Sequence, residues 1–192
     1  KIGKDICNAL KIFHSNNLIH SDIKPSNIFI NNNGTYKLGD FSITTRLNNP
    51  SYNGTPNYMA PEYLTEKKNN QSDIYSLGLV MYTLLNKGKL PFETESVSCY
   101  NAIDIRNSGK KIPKIRGINK KLMNIILKSL EFAQNNRYKS VEEMEKDLNS
   151  LNLDVLNSST KEIKFAKFDT TLDVNSPEVR NSFITKIELL KE

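Results

Sequence analysis

The stretch "IYSLGLVMYTLL", Ile74 to Leu85, is apolar around its whole circumference if wound as a helix, and this decides what body the chain can build. A bilayer span takes ~20 residues, so a segment this short reads as a helix buried in a protein core. Other helices are expected around it. Ile2, Ile6, Ala9, Leu10 and Phe13 recur at helical spacing to about His14. Further helical patterns run over 72 to 86, 96 to 107, 119 to 131 and 140 to 150, separated by Gly, Pro and Asn.

On this helical body sits a small amount of strand. "NIFI" and "TYKL" flank "NNNG", and Asn33-Gly34 is a tight-turn signal, so residues 28 to 38 read as a β-hairpin. From Asp40 to Glu62 neither helical nor strand period appears, while Pro50, Gly54, Pro56 and Pro61 punctuate the chain. A long ordered loop inside a compact domain tends to carry function. Residues Asn152 to Ser159 turn polar and aperiodic, which marks a boundary. "SPEVRNSFITKIELL" then offers Ser176 as N-cap and Pro177 as first helical residue, with Val179, Phe183, Ile184, Ile187 and Leu190 on one face.

Composition excludes some classes. Charged residues at 25% and hydrophobic ones at 38% suit a globular chain and argue against disorder. The net charge of +6 is spread out, with no basic run longer than a pair such as Lys110-Lys111 or Lys120-Lys121, so a nucleic-acid partner is not expected. Cys7 and Cys99 lack metal or redox spacing, which fits a reduced, cytoplasmic setting. There is no signal peptide and no membrane anchor in the sequence. It opens on Lys1 inside a helical pattern, and is expected to be a piece of something longer.

The polar residues gather around the hairpin. Asn27 and Asp40 flank its two strands, whose antiparallel pairing brings a carboxylate and an amide oxygen to one site. A hard cation such as Mg²⁺ takes such ligands together with substrate phosphates. Asp22, in a loop turned by Pro25, offers a second carboxylate to a substrate hydroxyl, with Lys24 beside it. Base, cation and metal ligands are the parts that phosphoryl transfer needs, because its loose transition state leaves the protein to position groups and offset charge.

"HSDIKPSN", "GDFS" and "GTPNYMAPE", in this order, resemble the catalytic loop, the metal-binding turn and the Ala-Pro-Glu boundary of eukaryotic-type protein kinases. The likeness extends through "SDIYSLG" and "NNRYKSVEEM" and so covers about residues 1 to 150, the larger lobe of that fold. It implies an α+β, mainly α class: a protein-kinase-like C-terminal lobe with a helical body and a small hairpin at the catalytic site, the N-terminal lobe being absent. Residues 151–192 remain as linker and C-terminal amphipathic helix.

The resemblance implies roles. Asp22 would orient the acceptor hydroxyl as catalytic base, and Lys24 would neutralise the transferred γ-phosphoryl of ATP. Asn27 and Asp40 would hold Mg²⁺, and Phe29 would floor the adenine pocket in place of the usual Leu. Lys24 with Thr55 resembles the Ser/Thr-specific branch, so protein Ser and Thr hydroxyls are the expected acceptors. His20 and Phe41 would pack in the spine that couples the lobes. Asp73 would fix the catalytic-loop backbone, and Glu62 would pair with Arg137, although "QNNR" lacks the Pro usual before that Arg. His14, Cys7, Tyr58 and Met59 read as structural.

Departures from the pattern bear on regulation. Ser21 stands where most of the family has an Arg that pairs with a phosphorylated activation loop, so activation by loop phosphorylation in the usual way is not expected, although Arg46 could supply a substitute cation. Ser42 replaces a Gly and should restrict the turn at Asp40 and Phe41. No Gly-rich loop, strand Lys or helix Glu of the small lobe occurs in the 192 residues. The chain alone is therefore expected to be inactive, completed by a lobe upstream of Lys1. Two other readings compete: a pseudokinase or scaffold, and a small-molecule phosphotransferase, which would lack the "GTPNYMAPE" segment. In a third, residues 160 to 192 form a partner-binding module.

Overall fold

The computed structural model describes residues 1–46, 54–64 and 68–151. The expected linker and terminal helix over 152–192, together with Pro50, Ser51, Tyr52 and the side chain of Arg46, lie outside them.

Helix α1 spans Ile2–Ser15 and stops where Asn17 turns left-handed at φ 57°, a conformation that Asn tolerates better than most residues. Strand β1 (Leu18–Ile19) follows, then β2 (Ile28–Ile30) and β3 (Tyr36–Leu38). β2 and β3 pair antiparallel with Ile28 opposite Leu38 and Ile30 opposite Tyr36, as the Asn33-Gly34 turn predicts. Gly34 takes φ 69°, and Asn31 Oδ1 accepts from the amides of Asn33 and Thr35, so the turn's donors are satisfied locally.

The aperiodic stretch from Asp40 contains more order than its sequence suggests. Strand β4 (Thr45–Arg46) pairs antiparallel with β1, and short 3₁₀ turns form at Pro56–Tyr58 and Pro61–Leu64. Two-residue strands carry too few positions to display a period, so only the pairing partner reveals them.

The body is built on α2 (Asn70–Leu85), whose residues from Ser72 to Thr83 are all buried. It begins in a capping box: Asn69 accepts from the Gln71 amide at 2.8 Å, and Ser72 Oγ accepts from the Asn69 amide at 3.3 Å. Helices α1 and α4 (Lys120–Ser129) pack against it, α5 (Val141–Asn149) packs on α1 and α4, and α3 (Cys99–Asn107) packs on the 3₁₀ turn at Pro56–Tyr58. Ile6, Leu10, Ile74, Leu77, Ile126 and Met144 are fully covered in one cluster. α2 approaches α4 at Gly78, where a Cβ would stand 2.1 Å from Ser129 Oγ. Asp5 of α1 accepts from the Tyr36 amide at 3.0 Å, which moors the hairpin to the helical body.

Candidate active site

The loop from His20 to Asn27, between β1 and β2, is held by backbone contacts before its side chains come into play. Asp73, on the first turn of α2 and fully buried, accepts from the His20 amide at 2.9 Å and the Ser21 amide at 3.0 Å. Ser21 is thereby kept at φ 72°, a region that costs a non-glycine residue free energy. Tyr63 Oη donates to the Ser21 carbonyl at 3.2 Å, and a Cβ at Gly54 would stand 3.0 Å from that oxygen, so glycine admits the close approach. Sequence reading missed Tyr63. His14, read as structural, lies with Nε2 3.0 Å from Asp73 Oδ2, a contact the sequence does not display.

The buried His20 ring receives the Asp22 amide on Nδ1 at 3.3 Å and faces the Gly39 carbonyl with Nε2 at 3.2 Å, which assigns the neutral tautomer with its proton on Nε2. Burial lowers its pKa against the opposing pull of Asp73. Phe13 and Phe41 pack on it, their ring centroids 5.4 and 5.7 Å from the imidazole.

Asp22 is the centre of a closed polar network. One carboxylate oxygen accepts from Thr55 Oγ1 at 2.7 Å and from the Thr55 amide at 3.1 Å. The other pairs with Lys24 Nζ at 2.7 Å and accepts from Asn27 Nδ2 at 3.0 Å. Lys24 Nζ in turn donates to Thr55 Oγ1 at 2.9 Å, and Asn27 Nδ2 also donates to the Asp22 carbonyl at 2.9 Å. Burial raises the Asp22 pKa, but the hydrogen bonds from Lys24 and Thr55, the Lys24 charge and the Asn27 bond outweigh it, and the net direction is down. Such a carboxylate is ionised at neutral pH and suited to orienting a hydroxyl more than to early proton removal.

The Gly39 amide donates to the Asn27 carbonyl at 2.9 Å, joining Asn27 to the residue before Asp40. Asn27 commits its amide nitrogen to Asp22, so its Oδ1 stays outside those bonds. Asp40 is exposed, takes φ 56°, and accepts from the Ser42 amide at 3.2 Å. Among the described residues no cluster of three His, Cys, Asp or Glu would hold a metal unaided. One carboxylate and one amide oxygen nevertheless fit Mg²⁺, which fills its shell with water and phosphate oxygens. Ser42 has no positive φ, so the left-handed residue of this turn is Asp40, and the serine is accommodated. Phe29 lies against Gly39, where a Cβ would stand 2.6 Å from its ring.

Below the loop, Glu62 and Arg137 form a two-pronged pair at 2.7 and 2.8 Å, both side chains buried, with Ser72 Oγ donating to Glu62 at 2.8 Å. Arg137 also donates to the carbonyls of Glu131 and Phe132. The missing Pro is replaced by the 3₁₀ turn Gln134–Asn136, which still delivers the guanidinium. Sequence reading overlooked Arg106 on α3. It is 2% exposed and donates to the carbonyls of Pro56, Asn57 and Met59, fixing the segment that carries Thr55. Tyr58 and Met59 pack against the core.

With this geometry in place, comparison with known proteins is decisive about family. Residues 1–149 match the family model described as protein kinase domain, and the chain belongs to that family. Among curated relatives, the serine/threonine-protein kinase PrkC of Bacillus subtilis is 34% identical over 161 residues, 77% of this chain and 24% of the relative. The serine/threonine-protein kinase polo of Drosophila melanogaster is 44% identical over 98 residues, 48% of this chain and 17% of the relative. The chain thus spans a quarter or less of the length of these two relatives. The structure of the Cydia pomonella granulovirus kinase PK-1 shares the fold, with a TM-score of 0.64 at 23% identity over 76% of this chain and 57% of that one. The helical body with few strands is therefore a protein-kinase fold, α+β and mainly α. Members of the family use ATP and Mg²⁺ and act on protein substrates. Among the described residues no helix is long and apolar enough to cross a membrane.

Proposed function

We propose that this chain is the catalytic-loop lobe, residues 1–150, of a protein serine/threonine kinase, with residues 151–192 as a separate appendage. A small lobe on the N-terminal side of Lys1 would contribute the Gly-rich loop and strand Lys, and the setting is cytoplasmic with no nucleic-acid partner. The observation that carries the reading is the network joining Asp22, Lys24, Asn27 and Thr55, in which every member is bonded to Asp22. In it Asp22 orients a Ser or Thr hydroxyl and takes its proton as the oxygen bonds to the γ-phosphorus of ATP and ADP departs. Lys24 offsets charge on the transferred group and keeps Asp22 ionised until then. Asn27 and Asp40 would hold Mg²⁺, which supplies charge neutralisation for the phosphates. Phe29, braced on Gly39, is the floor under the adenine.

Glu62, Arg137 and Asp73 position these groups without touching substrate. Ser21 turns its hydroxyl to Thr45 Oγ1 at 3.3 Å, which joins the His20 to Asn27 loop to β4 without a phosphate. The test is phosphate transfer from labelled ATP by the full-length protein to itself and to a Ser/Thr peptide. Asp22→Asn should lower the rate by about 10²–10⁴-fold with the fold intact. Equal rates in the two proteins would remove the reading, and no transfer by either would favour a binding role.

A further inference from the structure

Between α3, the loop after it and α4 lies an open cavity of about 550 Å³, away from Asp22. Lys110, Lys111, Lys114 and Lys128 line it, all exposed, against a single carboxylate, Glu131. None of these four lysines forms an ion pair with a carboxylate of the described residues. Lys128 Nζ stands 3.9 Å from the Tyr138 ring centroid and Lys110 Nζ 5.8 Å from that of Phe92, contacts that hold the side chains without cancelling their charge. Gathering like charges that no carboxylate offsets is unfavourable, and a concave wall concentrates their field.

A second observation points the same way. Arg106 reaches this cavity's wall, and its Nε is covered and has no hydrogen-bond partner among the described residues, although the terminal nitrogens hold Pro56, Asn57 and Met59. A buried guanidinium left one bond short is stabilised by an anion nearby.

We propose that this cavity docks an acidic peptide segment of a protein partner, with Asp, Glu or phosphoserine side chains placed among Lys110, Lys111, Lys114 and Lys128. The basic surface is compact, and the rest of the chain offers no run of phosphate contacts to extend it, which favours a peptide over a nucleic acid. Phe132, half exposed and laid over Gly109, gives the rim an apolar contact for a peptide side chain. Arg106 connects the cavity to the segment next to Thr55, so a docked partner would sit beside the acceptor site. That the partner is a substrate rests on the kinase reading; that it is acidic does not.

The test is fluorescence anisotropy with the full-length protein carrying Asp22→Asn and a labelled peptide rich in Asp and Glu, its phosphoserine version, and a neutral Asn/Gln version. The acidic peptides should bind, and should do so about tenfold more weakly to a Lys111→Glu, Lys114→Glu variant. Lys121→Glu, on α4 outside the cavity, should leave affinity within about twofold. Thermal unfolding verifies that each variant folds; should the double variant not fold, Lys111→Ala alone should weaken binding about threefold and lose that difference in high salt. Equal binding of acidic and neutral peptides, or no effect of the lysine variants, would overturn the proposal. So would tighter binding of a single-stranded oligonucleotide of equal charge through the same lysines. Docking retained while the unsubstituted full-length protein transfers no phosphate would remove the kinase reading alone.

Discussion

Thr55 makes more of the site than its chemistry alone suggests. Its hydroxyl donates to Asp22 and accepts from Lys24, and its amide donates to the same Asp22 oxygen, so one residue sets the spacing of base and cation. A hydroxyl that both donates and accepts cannot be replaced by a methyl without leaving two charged groups short of a bond. Thr55→Ala is expected to lower kcat about tenfold to a hundredfold in the full-length protein while changing the KM for ATP little, and Thr55→Ser to restore most of it. Steady-state kinetics at varied ATP separates the two parameters. The same side chain is why Thr55 outweighs partly buried neighbours such as Tyr58, whose contacts serve packing.

At the scale of elements, the site depends on how closely α2 is drawn into the body. α2 carries Asp73 in its first turn, and that carboxylate alone satisfies the two amides of His20 and Ser21. The depth of α2 is in turn set at Gly78, where Ser129 of α4 fills the space that a methyl would need. Gly78→Ala is expected to cost about 1–3 kcal/mol of stability, read by urea denaturation, since overpacked cores respond on that scale. Ser129→Ala in the same chain should recover part of the loss, because the nearest atom is then removed. A loss of activity larger than the loss of stability would show that α2 also tilts Asp73 away from the loop.

For the whole molecule, the buried Glu62–Arg137 pair ties the segment ending at Leu64 to the region before α5. Burial raises the Glu62 pKa, but the Arg137 hydrogen bonds and charge outweigh it and hold it below the ordinary value. A carboxylate whose folded pKa lies below its unfolded one stabilises the fold at pH above the unfolded value, and that contribution fades as pH falls through the folded value. Denaturant midpoints measured from pH 7 down should therefore fall below about pH 4 in the native protein. In Glu62→Gln the fall should be shallower, from a starting stability about 3–5 kcal/mol lower, because the Arg137 charge is left buried and unpaired.

How much of this was legible beforehand follows from what a linear pattern can encode. The five α-helices of the described residues, the 28 to 38 hairpin and the family resemblance were readable, since apolar periodicity, caps and a turn dipeptide act over a few neighbouring residues. So was the set of residues around Asp22, because Asp22, Lys24 and Asn27 share one loop. β4 was invisible, being only two residues long. Arg106 and Tyr63 were invisible too, because a buried arginine on a helix and a tyrosine in a turn gain their meaning only from carbonyls and a loop that lie far away in sequence. The sequence by itself determined which groups the site holds. Tertiary packing alone decided that Thr55 closes on Asp22 and that Arg106 lies between the basic cavity and the segment after Thr55, because long-range hydrogen bonds leave no local signature.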